Sequence, residues 1–170
     1  MPKLITQYVK IIDLICTKVG RITMYGVYLM MFILVLSFVT RNIINFPLMW
    51  IIEMAQFTMT AYYFLGGAYS MQMGDHVRMD LFYGNFSERG KAKMDIFTSA
   101  FLLFYLVTLL IGSVSSLIYT IETKQKLFTA WAPYVWPIKV LMLTGILLML
   151  LQTLSILFKD IAKLKGRKIN

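Results

Sequence analysis

At 170 residues the chain has the length of one domain, but 59% hydrophobic content, 15% aromatic content and a mean hydropathy of +0.71 exclude an ordinary soluble one and put a membrane protein first. Lys and Arg number 17 against 8 Asp and Glu, a net +9 that suits nucleic acid, anionic lipid or cytoplasmic loops until position decides between them. The one cysteine, Cys16, excludes an intramolecular disulfide and cannot by itself build a thiolate metal site, so it reads as a small apolar filler.

In chain order, the first predicted element is amphipathic. Leu4, Tyr8, Ile12, Ile15, Val19 and Ile22 recur at spacings of three and four, with Lys3, Gln7, Lys10, Lys18 and Arg21 mostly on other faces. This is the pattern of a helix lying in the cytoplasmic interface, and an ordinary extension of the first span is the alternative. Four stretches then lack charge for about the 20 residues a helix needs to cross a bilayer: 22–40, 54–74, 96–121 and 140–158. The first is followed by Arg41, Asn42 and Ile43, not by a small-residue cleavage site, so it is expected to stay in the mature protein. The fold class predicted is all-α and integral to the membrane. It divides into an amphipathic helix over 1–21, a four-helix transmembrane domain over 22–158 and a basic cytoplasmic tail over 159–170.

The second span carries polar or small groups at Glu53, Gln56, Thr60, Tyr63, Gly67, Ser70 and Gly74, stepping by three and four along one face that should turn toward protein. Gly66, Ser70 and Gly74 repeat a small residue every fourth position, which lets another helix approach closely. The third span has a similar row, Thr108, Gly112, Ser116 and Thr120, and the fourth offers Gly145, Gln152 and Ser155. Ser87 and Glu88 suit the start of the third helix. Before the fourth span, TAWAPYVWPIK places Pro133 and Pro137 as helix breakers, with Pro137 fit for a first turn. Trp131 and Trp136 suit the headgroup layer, and Trp50 plays the matching part at the outer end of the second helix.

Basic residues fix the orientation. Thirteen of the 17 lie before the first span, between the second and third, or after the fourth, while Arg41, Lys124, Lys126 and Lys139 occupy the other two connections. Both termini and the middle loop are therefore expected in the cytoplasm. The charge excess is accounted for by topology, and nucleic acid is not needed as a partner.

Enzyme readings fail mostly by absence. A single histidine cannot form a bis-histidine haem site, and there is no glycine-rich phosphate loop and no GxSxG elbow. His76, with Asp75 and Asp80, lies in a loop at spacings that are a weak metal signal, and a hydrogen-bonded loop or interface histidine is the plainer reading. No metal and no cofactor is predicted on this chain. Glu53 has two readings. An intramembrane acid is first taken as a transport site, but Glu53 sits one turn past Trp50, near the outer interface. Arg41, at the outer end of the first helix, is placed to reach it, so an ion pair or interface contact is the expectation.

Trp50, Glu53, Gly66, Gly67 and the sequence HVRMD from His76 through Arg78 to Asp80 resemble the signature of the small membrane subunit of tripartite ATP-independent periplasmic transporters, the DctQ-like proteins. WAPYVWPIK, followed by an apolar run and Leu151, Gln152, is similar to the family's usual ending, and the resemblance covers roughly residues 20–160. It implies a chain in the bacterial cytoplasmic membrane with two protein partners. A periplasmic binding protein captures an organic anion, and a large elevator-type subunit carries it across with sodium, which is expected on that subunit. The small subunit is a noncatalytic scaffold, its second helix and HVRMD patch meeting the large one or bracing the bundle. No span here shows a broken helix or midplane charge cluster fit to receive an anion, in agreement. Sialic acid, dicarboxylates, other carboxylates and sulfonates fit equally as cargo. The rival readings are a small multidrug-type exporter using Glu53, which would be shorter and carry its acid in the first span, and an anchor subunit of another membrane complex.

Overall fold

The computed structural model describes residues 3–46, 48–74 and 88–164, without the side chains of 3, 88, 89 and 91–93. His76, Arg78, Asp80 and Ser87 lie outside the described residues. Four helices make up nearly all of the rest: α1 (Lys3–Asn42), α2 (Trp50–Met73), α3 (Glu88–Glu122) and α4 (Trp136–Leu164). Three of them, α1, α3 and α4, are long and apolar enough to cross a membrane. The all-helical class holds. In α2, Glu53, two glutamines and two adjacent glycines dilute the apolar residues, and composition alone does not qualify it as a span.

The N-terminal segment is not a separate element. It runs without interruption into the first span as one 40-residue helix, about 60 Å long at 1.5 Å per residue. The reason is a single buried stripe. Val9, Ile12, Cys16, Gly20, Thr23, Ile33 and Thr40 are buried at helical intervals through both halves, so one face packs continuously. The side chains expected to define the amphipathic face are partly on the other side: Leu4 and Ile22 are exposed. The 21/22 boundary therefore falls inside a helix, as does 158/159, since α4 continues to Leu164.

α1 packs along α2 and also meets α4; α2 packs on α4, while α3 has its extended packing with α4 alone. Paired residues give the directions. Gly26 lies near Tyr62, Gly66 near Thr23 and Gly20 against the Tyr69 ring, so α1 and α2 are antiparallel. Gly145 lies against Phe64 and Gly67 against Met149, so α2 and α4 are parallel. At Gly145 the approach is between backbones: a Cβ there would stand 2.7 Å from the Phe64 carbonyl oxygen, which only glycine permits. Gly20 likewise leaves room for the Tyr69 ring, where any side chain would overlap it.

Gly74 corrects an expectation. Its added Cβ would meet nothing within 4 Å, and its φ of 82° is left-handed. It ends α2, its N–H bonding back to the Met71 carbonyl at 3.3 Å, the usual office of glycine just past a helix. It does not pack against another helix.

Candidate functional site

No described cluster of His, Cys, Asp or Glu has the size of a metal site. The chemistry-bearing side chains gather instead into two polar clasps that tie helices together. The first joins α1, α2 and α4. Asp13 is the only acid in the first 52 residues and falls on the buried stripe between Ile12 and Cys16. Its carboxylate pairs with Lys159 Nζ at 2.5 Å and accepts from Gln152 Nε2 at 3.1 Å and Ser155 Oγ at 3.4 Å. Its backbone carbonyl accepts from Thr17 Oγ1 at 2.7 Å and from Gln72 Nε2 at 3.2 Å, and Gln72 Nε2 also reaches Thr17 Oγ1 at 3.0 Å. Tyr8 donates to the Leu151 carbonyl at 3.1 Å. An acid on an apolar helix face is costly without such partners, and here its carboxylate has three. Beside the clasp, Ile12, Cys16 and Ala68 form a buried core, with Leu148, Met149 and Leu151 packed on it. Cys16, 1% exposed, is the filler its surroundings predicted.

The second clasp joins α3 and α4 at their shared loop. Lys139 Nζ donates to Ser116 Oγ at 2.8 Å, to Thr120 Oγ1 at 2.5 Å and to the Ser116 carbonyl at 3.3 Å. Thr120 is buried and also bonds Gln125 Oε1 at 3.1 Å. The loop itself is tied by Leu127 N–H to the Pro133 carbonyl at 3.0 Å and Val135 N–H to the Gln125 carbonyl at 3.1 Å. Lys126 stands 4.7 Å over the Tyr134 ring. Trp131 and Trp136 are exposed beside it, and Pro137 sits in the first turn of α4 as its residue type demands.

The face expected along α2 is divided. Gly66 looks toward Thr23 of α1 and Gly67 against Met149 of α4, so adjacent glycines serve two different neighbours. Glu53 is buried, Trp50 is at the surface, Thr60 and Ser70 are half-buried, and Gln56 and Tyr63 are exposed. Thr60 turns its hydroxyl onto the Gln56 carbonyl at 2.8 Å. The expected pairing of Glu53 with Arg41 is not formed: Arg41 is exposed, and the ion pairs seen between described side chains, Asp13 with Lys159 and Asp160 with Lys163, include neither residue. Glu53 is instead buried, and among the described residues its Oε2 has no hydrogen-bond partner, as is also true of Gln152 Oε1. Sequence reasoning placed the fastenings on α2 and missed Asp13, Gln72 and Lys159. The signal was present in Asp13, a lone acid on an apolar stripe, and in Gln152, Ser155 and Lys159 at intervals of three and four on one face of α4.

Residues 30–163 match the family described as tripartite ATP-independent periplasmic transporters, DctQ component. The chain belongs to the DctQ family. No curated protein matches it. A DctQ chain is the small membrane component of such a transporter, and the matched region contains about the last third of α1, all of α2 and α3, the loop before α4 and all of α4 but its final residue. The N-terminal part of α1, with Tyr8, Asp13 and Thr17, precedes the match, so the first clasp is half inside it and half outside.

Proposed function

We propose that this DctQ chain is a noncatalytic scaffold that binds the large elevator-type subunit and holds it in the bacterial cytoplasmic membrane during sodium-driven uptake of an organic anion delivered by a periplasmic binding protein. The observation that carries the reading is the combination of the family match with the fastenings that tie the helices together, the polar clasps and the close glycine contacts. A scaffold must stay fixed while its neighbour moves, and α1, α2 and α4 are held to one another by the Asp13 clasp and by backbone contact at Gly145.

In this reading α2 crosses the membrane with the other three helices. Its support is position: it runs antiparallel to α1 and parallel to α4, and covers its glycines with their side chains. A helix shielded by two others does not need the apolarity of one facing lipid. Both termini lie in the cytoplasm on the distribution of Lys and Arg, and Trp50, Trp131 and Trp136 sit in the outer headgroup layer. Gln56 and Tyr63, left exposed between the covered faces of α2, are the contact offered to the large subunit. The transported anion and the sodium are bound elsewhere, on the partner proteins.

Coexpression tests this. The chain should copurify with a coexpressed large subunit of this transporter family and show no uptake alone. Isolation of an active transporter consisting of this chain without a large partner would sink the proposal, and would return Glu53 to consideration as the acid of a small exporter.

A further inference from the structure

Because α3 has its extended packing with α4, a groove of about 600 Å³ opens between α2, α3 and α4. Its walls are almost wholly apolar, with Phe64 and Met71 from α2, Leu102 and Leu109 from α3, and Ile146 and Met149 from α4. Of the polar row foreseen on α3, Thr120 is buried against α4, while Thr108, Gly112 and Ser116 are exposed along this opening. At the end nearest the 123–135 loop the lining changes to Ser113, Ser116 and Lys139. Lys139 Nζ is held by three neutral oxygens, and none of the described ion pairs includes it. An uncompensated cation thus stands at the mouth of an apolar groove.

We propose that this groove holds one acyl chain of a membrane phospholipid whose anionic headgroup lies on Lys139. Its length and the charge at its mouth fit a lipid. From Leu102 to Ser116 the groove follows α3 for about 21 Å at 1.5 Å per residue, matching one leaflet including its headgroups, roughly half of a 40–45 Å bilayer. The headgroup preference follows from charge: a lysine near the surface is worth about 1 kcal/mol toward an anionic lipid, or about fivefold. The inference needs only α3 and α4 to lie in the membrane and does not depend on the identity of any partner protein.

Native mass spectrometry of the full chain, delipidated and titrated separately with phosphatidylglycerol and phosphatidylcholine, reads it directly. One phosphatidylglycerol should be retained at about fivefold higher occupancy than phosphatidylcholine. Lys139→Gln should bring the two to parity and Lys139→Arg should keep the preference. Gly112→Phe places a ring in the groove from a position whose Cβ meets nothing within 4 Å, so the fold is kept and both adducts should be lost. Circular dichroism and continued protection of Cys16 from maleimide verify folding in each variant. Equal occupancy of the two lipids on the unaltered chain overturns the proposal, as does an adduct indifferent to Gly112→Phe. Absence of any lipid adduct, with Gly112→Phe instead abolishing capture of the large subunit, would make the groove a protein seat and overturn it as well.

Discussion

The two halves of α4 hold their neighbours by different means. Its second half is locked between α1 and α2, where Gln152, Thr153 and Ser155 are wholly or almost wholly buried and meet partners from both helices. Its first half touches α2 at Gly145 and otherwise meets α3 along one side, with Lys139 as a polar latch and an open groove adjacent. α3 shows the consequence: Phe104 and Ile111 are 75% and 67% exposed, although Leu106 and Thr120 on the same helix are buried. One region is a finished three-helix core and the other a surface prepared for lipid or protein. What separates them is the distribution of small residues. Gly20, Gly67 and Gly145 sit where α1, α2 and α4 converge, whereas Gly112 of α3 faces open space.

The comparison can be broken most severely at Gly145. Gly145→Leu forces a side chain onto the Phe64 carbonyl and should destabilise the bundle by about 3 kcal/mol, visible as a large loss of thermal stability in detergent and as exposure of Cys16 to maleimide. Next comes Asp13→Ala, expected to cost about 2 kcal/mol. That is below the roughly 3–5 kcal/mol of a fully buried pair, because the Lys159 and Asp13 side chains remain 29% and 24% exposed. The double change Asp13→Ala with Lys159→Ala should cost less than the sum of the singles; strict additivity would remove the ion pair from the account. Lys139→Met should cost about 1 kcal/mol and loosen only α3, so Cys16 labelling should stay slow. Fast labelling in that variant would show that the two regions are one cooperative unit. Smallest of all, Gln56→Leu and Tyr63→Phe should change the stability of the isolated chain by less than about 0.5 kcal/mol. Their effect should appear only as weaker copurification with the large subunit.

Much of this architecture was legible in the residues. The apolar runs foretold all four helices and their order, and Pro137 marked the first turn of α4. Periodicity misled where a helix is apolar all round. In the first 22 residues Leu4, Ile15 and Ile22 trace as regular a stripe as Val9, Ile12 and Cys16, and only tertiary packing selects the second. Glycine spacing misled differently. Gly66, Ser70 and Gly74 look like one contact ridge, yet Gly66 faces α1, its neighbour Gly67 faces α4, and Gly74 turns the chain. A helix flanked on two sides spreads its small residues over two faces, which a search for one stripe cannot resolve. Glu53 was singled out as a group needing explanation, but its side chain is buried while Arg41 stays exposed. The polar groups that do join helices, Asp13 and Lys159, lie 146 residues apart, and no local pattern links them.

The unbroken course of α1 has a mechanical consequence. From Tyr8, hydrogen-bonded to α4, to Thr40 near the other end, the rod spans about 48 Å at 1.5 Å per residue, against a hydrocarbon thickness of about 30 Å. Even at a tilt of 40°, steep for a membrane helix, it outreaches that layer. Force applied at its far end has no hinge in which to dissipate and arrives as torque on the Asp13 clasp. The chain thus has a built-in strut, whose stiffness depends on the helix having no break between its surface segment and its span.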